Sequence, residues 1–197
     1  VFNMNLPNKL TMFRIILISI FTLILVLDVP ATAIMVAGTS IPVSAIIATV
    51  IFIVASLTDL LDGKIARSQH LVTNFGKFAD PLADKLLVMT AFIFLVALDQ
   101  APAWVVAIII WRELAVTGLR LLLSEGGEVM AAAMPGKIKT TTQMLAIILL
   151  LLNNVFFNNI GIPMAQIMLY VCLFFTVYSG TDYFIKNRGV FKDSFSK

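Results

Sequence analysis

Charge is what this sequence has least of. Only 13% of its 197 residues are Asp, Glu, Lys or Arg, against 60% hydrophobic, and the mean hydropathy is +1.00. A typical soluble domain is about 25% charged, so this composition excludes a separate water-soluble domain and points to an integral membrane protein. Cys172 is the one cysteine and lies inside an apolar run, which excludes an intrachain disulfide. Its expected place is in packing or against lipid. His70 is the one histidine and has no Cys or Glu partner at ligand spacing, so no histidine metal motif exists and no role is assigned to it. A cleavable signal pattern is also missing: the apolar stretch after Arg14 is too long and no small-residue cleavage site follows. Internal repeats and low-complexity tracts are absent. Val1, Phe2 and Asn3 before Met4 read as an added remnant, leaving residues 4–197 as a single membrane domain.

What is present is a set of long apolar runs. Six spans, near residues 10–27, 42–62, 77–98, 102–123, 138–153 and 162–185, each approach the length of a membrane-crossing helix. The fold class expected is therefore all-α, with six transmembrane helices. The net charge of +3 is no signal for nucleic acid here, because the position of the charges says more. The connections 28–41, 99–101 and 153–163 carry no Lys or Arg. Lys9, Arg14, Lys64, Arg67, Lys77, Lys137, Lys139, Lys186, Arg188, Lys192 and Lys197 all fall on the other side. By the positive-inside rule the N- and C-termini are cytoplasmic, in a multi-pass protein of the cell's plasma (inner) membrane.

One stretch breaks the apolar pattern with acids. It reads Asp59-Leu-Leu-Asp62-Gly63-Lys-Ile-Ala66-Arg67, then eight residues, then Gly76-Lys-Phe-Ala-Asp80-Pro-Leu-Ala-Asp84. Carboxylates at the ends of membrane segments are costly to bury and mark functional sites. Asp59 and Asp62 are three apart and Asp80 and Asp84 four apart, so on helices each pair shares a face. Two such faces turned together, with no excess of cations nearby, would suit hard divalent cations, Mg²⁺ or Mn²⁺. Four aspartates can hold two metals for phosphoryl displacement. The competing account is helix-end acids in solvent. It fits poorly, since acids favour helix N-termini and Asp59 and Asp62 are expected at a C-terminal end. Gly63 and Ala66 are small where a ligand could approach, although Gly63 alone could be a helix-end glycine. Arg67 can fork two donors onto phosphate.

The motif Asp-x2-Asp-Gly-x2-Ala-Arg-x8-Gly-x3-Asp-x3-Asp resembles the signature of the CDP-alcohol phosphotransferases, with every fixed position present. The resemblance implies a metal-dependent phosphatidyltransferase of phospholipid biosynthesis. Asp59, Asp62, Asp80 and Asp84 would bind two Mg²⁺ or Mn²⁺ ions at the cytoplasmic face, and Asp84 would be the catalytic general base. It implies that Gly63, Ala66 and Gly76 admit the cytidine of CDP-diacylglycerol, that Arg67 meets its diphosphate, and that the enzyme is a homodimer.

Outside the motif, Asn8, Thr11 and Arg14 share one side of the opening segment. They are either a polar interfacial lead-in, with Arg14 as a snorkelling anchor, or part of the nucleotide pocket. The Pro-Asn-x-Leu-Thr-x-x-Arg opening resembles family members and favours the pocket for Asn8 and Thr11. Arg112 falls near mid-membrane depth and shares a face with Val116 and Arg120. It should either pair with an acid or line a cationic pocket for a second, phosphate-bearing substrate. Lys137 and Lys139 enter the fifth span at a helix N-terminus, a place that attracts anions; they could equally be topology anchors. Being two apart, they do not share a helix face. Arg-Glu-x-x-Val-Thr-Gly-Leu-Arg followed by Gly-Lys-Ile-Lys-Thr-x-x-Gln resembles the branch that uses glycerol 3-phosphate, which the resemblance would place at Arg112, Arg120, Lys137 and Lys139. Serine, inositol phosphate and phosphatidylglycerol are the alternative acceptors. An ion transporter or an intramembrane prenyltransferase fits less well: the acids cluster at one face without an inverted repeat, and prenyltransferases resemble another aspartate pattern. The end of the last span shows no motif chemistry, and Tyr183 and Phe184 fit an interfacial aromatic belt.

Overall fold

The computed structural model describes residues 6–69, 74–125 and 134–191, and the side chains of these except at 7, 60–81, 124–125 and 190–191. Six long helices account for nearly all of it: α1 (Leu6–Leu27), α2 (Val43–Gln69), α3 (Asn74–Ala97), α4 (Ala103–Glu125), α5 (Met134–Leu151) and α6 (Met164–Lys186). They contain 22, 27, 24, 23, 18 and 23 residues, or about 27–40 Å at 1.5 Å per residue. The helices follow the six apolar spans closely. Among the described residues, α1 (over Asn8–Leu27) and α6 are long and apolar enough to cross a membrane.

The core explains why the helices pack so closely. Phe21, Phe52, Phe92, Leu95, Ile109, Ile147, Leu150 and Leu169 are buried at its centre, and Ala48, Ala55, Ala91 and Ala146 are fully buried between them. Small residues let helix backbones approach, and the aromatic rings fill what remains. Phe21 meets Phe94 edge-on at 6.3 Å between centroids. Phe13, Leu23, Val50, Ile93, Trp104, Trp111, Leu145 and Phe174 face outward from the same helices. Large apolar side chains exposed all round a bundle are a surface built for lipid rather than water.

The 28–41 connection, expected only as a positively uncharged loop, contains a hairpin: β1 (Ala33–Val36) pairs antiparallel with β2 (Thr39–Pro42), Val36 opposite Thr39. Ala37 and Gly38 turn it with φ of 48° and 74°, the left-handed pair that suits a two-residue hairpin. Asparagines from the α5–α6 connection hold it down. Asn153 Nδ2 donates to the Ser40 carbonyl at 3.2 Å and Asn158 Nδ2 to Thr39 Oγ1 at 3.0 Å. This tied end lies opposite the end where α2 leads to α3 and α4 leads to α5.

One local expectation changes. Asp59 and Asp62 lie within α2 well before its end at Gln69, so Gly63 is a helix-interior glycine and not a terminal one. Pro81 lies beyond the first turn of α3, and Pro135 and Gly136 stand in the first turn of α5. His70 and Gly126-Gly127 lie outside the described residues.

Candidate active site

A cavity of about 450 Å³ opens between the ends of α3, α4, α5 and α6. Its lining includes Asp84 from α3, Arg112 and Arg120 from α4, and Lys137 and Lys139 from the first turns of α5. The candidate base and all four candidate acceptor cations thus share one space. The helix-face argument for Arg112, Val116 and Arg120 is borne out, since all three line it. Lys137 is exposed and Lys139 buried, the difference expected of two residues on different sides of a helix.

The charges are arranged around Glu113, a residue the sequence reading quoted without assigning it a role. Its Oε1 meets Lys139 Nζ at 2.5 Å and Arg112 Nη1 at 3.1 Å, and its Oε2 meets Lys85 Nζ at 3.3 Å. Three cations share one carboxylate, and the excess positive charge borders the cavity. In a low-dielectric setting such a cluster is stable only if each charge has partners. Arg112 has them: its Nε donates to the Thr176 carbonyl at 3.2 Å and its Nη2 to Ser179 Oγ at 2.7 Å. Arg112 therefore pairs with an acid and also lines the cavity.

The end of α6, read as free of motif chemistry, contributes directly. Ser179, Asp182 and Tyr183 line the cavity. A Cβ on Gly180 would stand 2.9 Å from Arg112 Cγ, so this glycine makes room for the arginine stem. Tyr183 is 5% exposed, packed beside Val116 and Leu119, and its hydroxyl accepts from Arg120 Nε at 3.2 Å. It does not belong to an outward aromatic belt, and Phe184 packs against the same cluster. Cys172 is buried, with Sγ 3.8 Å from Thr176 Oγ1.

Asn8, Thr11 and Arg14 are all buried on α1, which packs on α2 and α3. Arg14 is fully buried and its Nη1 lies 2.7 Å from Asp59 Oδ1. Snorkelling is thereby excluded. α1 thus supplies one cation to the first of the motif acids. Asp62, Gly63, Ala66 and Arg67 lie on α2 and Gly76 and Asp80 on α3, and these two helices pack together. Their side chains are outside the described residues, so Asp59 and Asp84 are the motif acids whose surroundings are seen. Both are partly accessible carboxylates, and carboxylate oxygens are the donors that Mg²⁺ and Mn²⁺ take; among the described residues alone no group of three such side chains comes together. Lys85, Glu113, Ser179 and Gly180 were the residues missed. A charged Glu113 inside an apolar span was the signal that could have found one of them.

The acidic motif thus runs along two adjacent helices, α2 and α3, and its last aspartate, Asp84, lines the cationic cavity. Residues 4–178 match the family model for CDP-alcohol phosphatidyltransferase, and the chain belongs to that family. It is 53% identical over 190 residues to the CDP-diacylglycerol–glycerol-3-phosphate 3-phosphatidyltransferase of Bacillus subtilis, covering 96% of this chain and 98% of that protein. The Haemophilus influenzae protein of the same name is 36% identical over 195 residues, with 96% and 97% covered. A probable phosphatidylglycerophosphate synthase of Mycobacterium tuberculosis is 36% identical over 182 residues, with 91% and 79% covered.

Proposed function

We propose that this chain transfers the phosphatidyl group of CDP-diacylglycerol to glycerol 3-phosphate, giving phosphatidylglycerophosphate and CMP. The observation that carries the reading is the cavity in which Asp84 stands among Arg112, Arg120, Lys137 and Lys139. Its support is the near full-length likeness to proteins named for that reaction.

The cations attract the phosphate of glycerol 3-phosphate and hold the molecule by that end. Its free primary hydroxyl is then directed toward Asp84. Asp84 takes the hydroxyl proton while the oxygen attacks the phosphorus that bears the diacylglycerol. The bond from that phosphorus to the CMP oxygen breaks, and CMP departs with the electron pair. Asn8, Thr11, Gly63, Ala66, Arg67 and Gly76 form the CDP-diacylglycerol side of the site in this reading. Asp59, Asp62, Asp80 and Asp84 would hold two divalent cations, Mg²⁺ or Mn²⁺, which when bound supply charge neutralisation for the diphosphate. Arg14 fixes the Asp59 carboxylate from behind. All six helices cross the membrane, both termini are cytoplasmic, the site faces the cytoplasm, and the working unit is a homodimer.

The test is to supply purified protein with CDP-diacylglycerol, Mg²⁺ and one alcohol at a time, and to measure CMP. Glycerol 3-phosphate should release it, while serine, inositol phosphate and phosphatidylglycerol should not. Release with serine and none with glycerol 3-phosphate would refute the acceptor, and release with none of them would refute the activity.

A further inference from the structure

Every cation in the cavity has a named role above, but one neutral side chain does not. Gln143 lies one helical turn beyond Lys139 on α5, lines the same cavity and is only 2% exposed. Its Nε2 is buried and finds no acceptor among the described residues. A buried donor without a partner is destabilising, and in folded proteins such groups are nearly always satisfied by something. Its neighbours cannot supply an acceptor easily, since Lys139 is itself a donor and Glu113 is already shared by Lys85, Arg112 and Lys139.

The acceptor's chemistry supplies what is missing. Resting on the acceptor reading above, glycerol 3-phosphate brings three kinds of oxygen into this space. The phosphate oxygens are served by the cations, and the reacting hydroxyl is served by Asp84. The secondary hydroxyl between them has no partner in that scheme. We infer that Gln143 is a specificity-determining residue, whose side-chain amide donates a hydrogen bond to the secondary hydroxyl of the acceptor. A site that hydrogen-bonds a substrate hydroxyl discriminates strongly against an analogue lacking it, because the protein donor is then left unpaired in the buried site.

The experiment crosses two enzymes with two substrates. The intact protein and Gln143→Met, in detergent or nanodiscs with CDP-diacylglycerol and Mg²⁺, are assayed for CMP with glycerol 3-phosphate and with 3-hydroxypropyl phosphate, which lacks only the secondary hydroxyl. For the intact protein kcat/KM should favour glycerol 3-phosphate by on the order of tenfold to a hundredfold. In Gln143→Met that preference should fall to within about threefold, with the KM for CDP-diacylglycerol unchanged. A preference that survives in a folded Gln143→Met protein overturns the inference, as does an intact protein that does not discriminate. If the methionine variant does not fold, Gln143→Leu carries the same comparison, since it too removes the donor without offering another polar group. Turnover of neither phosphate by the intact protein would instead overturn the acceptor reading, and this inference with it.

Discussion

Replacing Gly180 with alanine is the most direct way to ask whether Arg112 is held as described. The added methyl would stand 2.9 Å from Arg112 Cγ, 3.4 Å from Nε and 3.7 Å from Cδ. The crowded atom is near the base of the side chain, so the whole arginine has to move. In doing so it loses the geometry of its bonds to the Thr176 carbonyl and Ser179 Oγ. Overpacking of this kind costs about 1–3 kcal/mol, whereas glycine to alanine within a helix gains about 1 kcal/mol. Crowding should win, leaving a net loss of up to about 2 kcal/mol. The sign should reverse when Arg112 is already alanine, because only the helix gain remains. A double-mutant cycle on thermal unfolding, with Gly180→Ala and Arg112→Ala singly and together, should therefore give a coupling of about 1–3 kcal/mol. Kinetics should follow: in Gly180→Ala the KM for glycerol 3-phosphate rises while that for CDP-diacylglycerol stays. A stabilised single variant with unchanged kinetics would refute the packing argument.

Glu113→Gln should strip the shared charge from Lys85, Arg112 and Lys139. The expected stability loss is about 3 kcal/mol, read as a lower melting temperature, with a raised KM for glycerol 3-phosphate and partial recovery in Glu113→Asp. Arg14→Met leaves Asp59 without its α1 partner, and should lower both melting temperature and CMP release, with Arg14→Lys recovering part of each. Asp84→Asn should abolish transfer while a CDP-diacylglycerol binding assay on the same folded protein changes little; retained turnover would remove it as the base. Chelation should stop CMP release, and added Mg²⁺ or Mn²⁺ should restore it.

Most of the helical layout could be read from hydropathy, because apolar length alone decides where membrane-sized helices form. Faces were legible too. Asn8, Thr11 and Arg14 proved to be buried together, and Arg112, Val116 and Arg120 line one wall, since 3.6-residue periodicity is a local property. What was hidden was pairing between distant helices. Nothing in the neighbourhood of Arg14 names Asp59 as its partner, and nothing near Ser179-Gly180 says that an arginine from α4 lies across it. Tyr183 was placed among lipid-facing aromatics for the same reason: composition at a helix end does not say which way the ring turns. The hairpin at 33–42 left a trace in its Ala-Gly turn, easily lost between two long apolar runs.

Lys85, Arg112, Glu113 and Lys139, with Ser179 attached through the arginine, join α3, α4, α5 and α6 at one carboxylate. Such a knot cannot be retuned one strand at a time. Swapping any single member shifts the tension on the rest, so the losses measured for individual replacements will not sum to the whole. A change of preferred alcohol in this scaffold therefore calls for concerted substitutions on several helices.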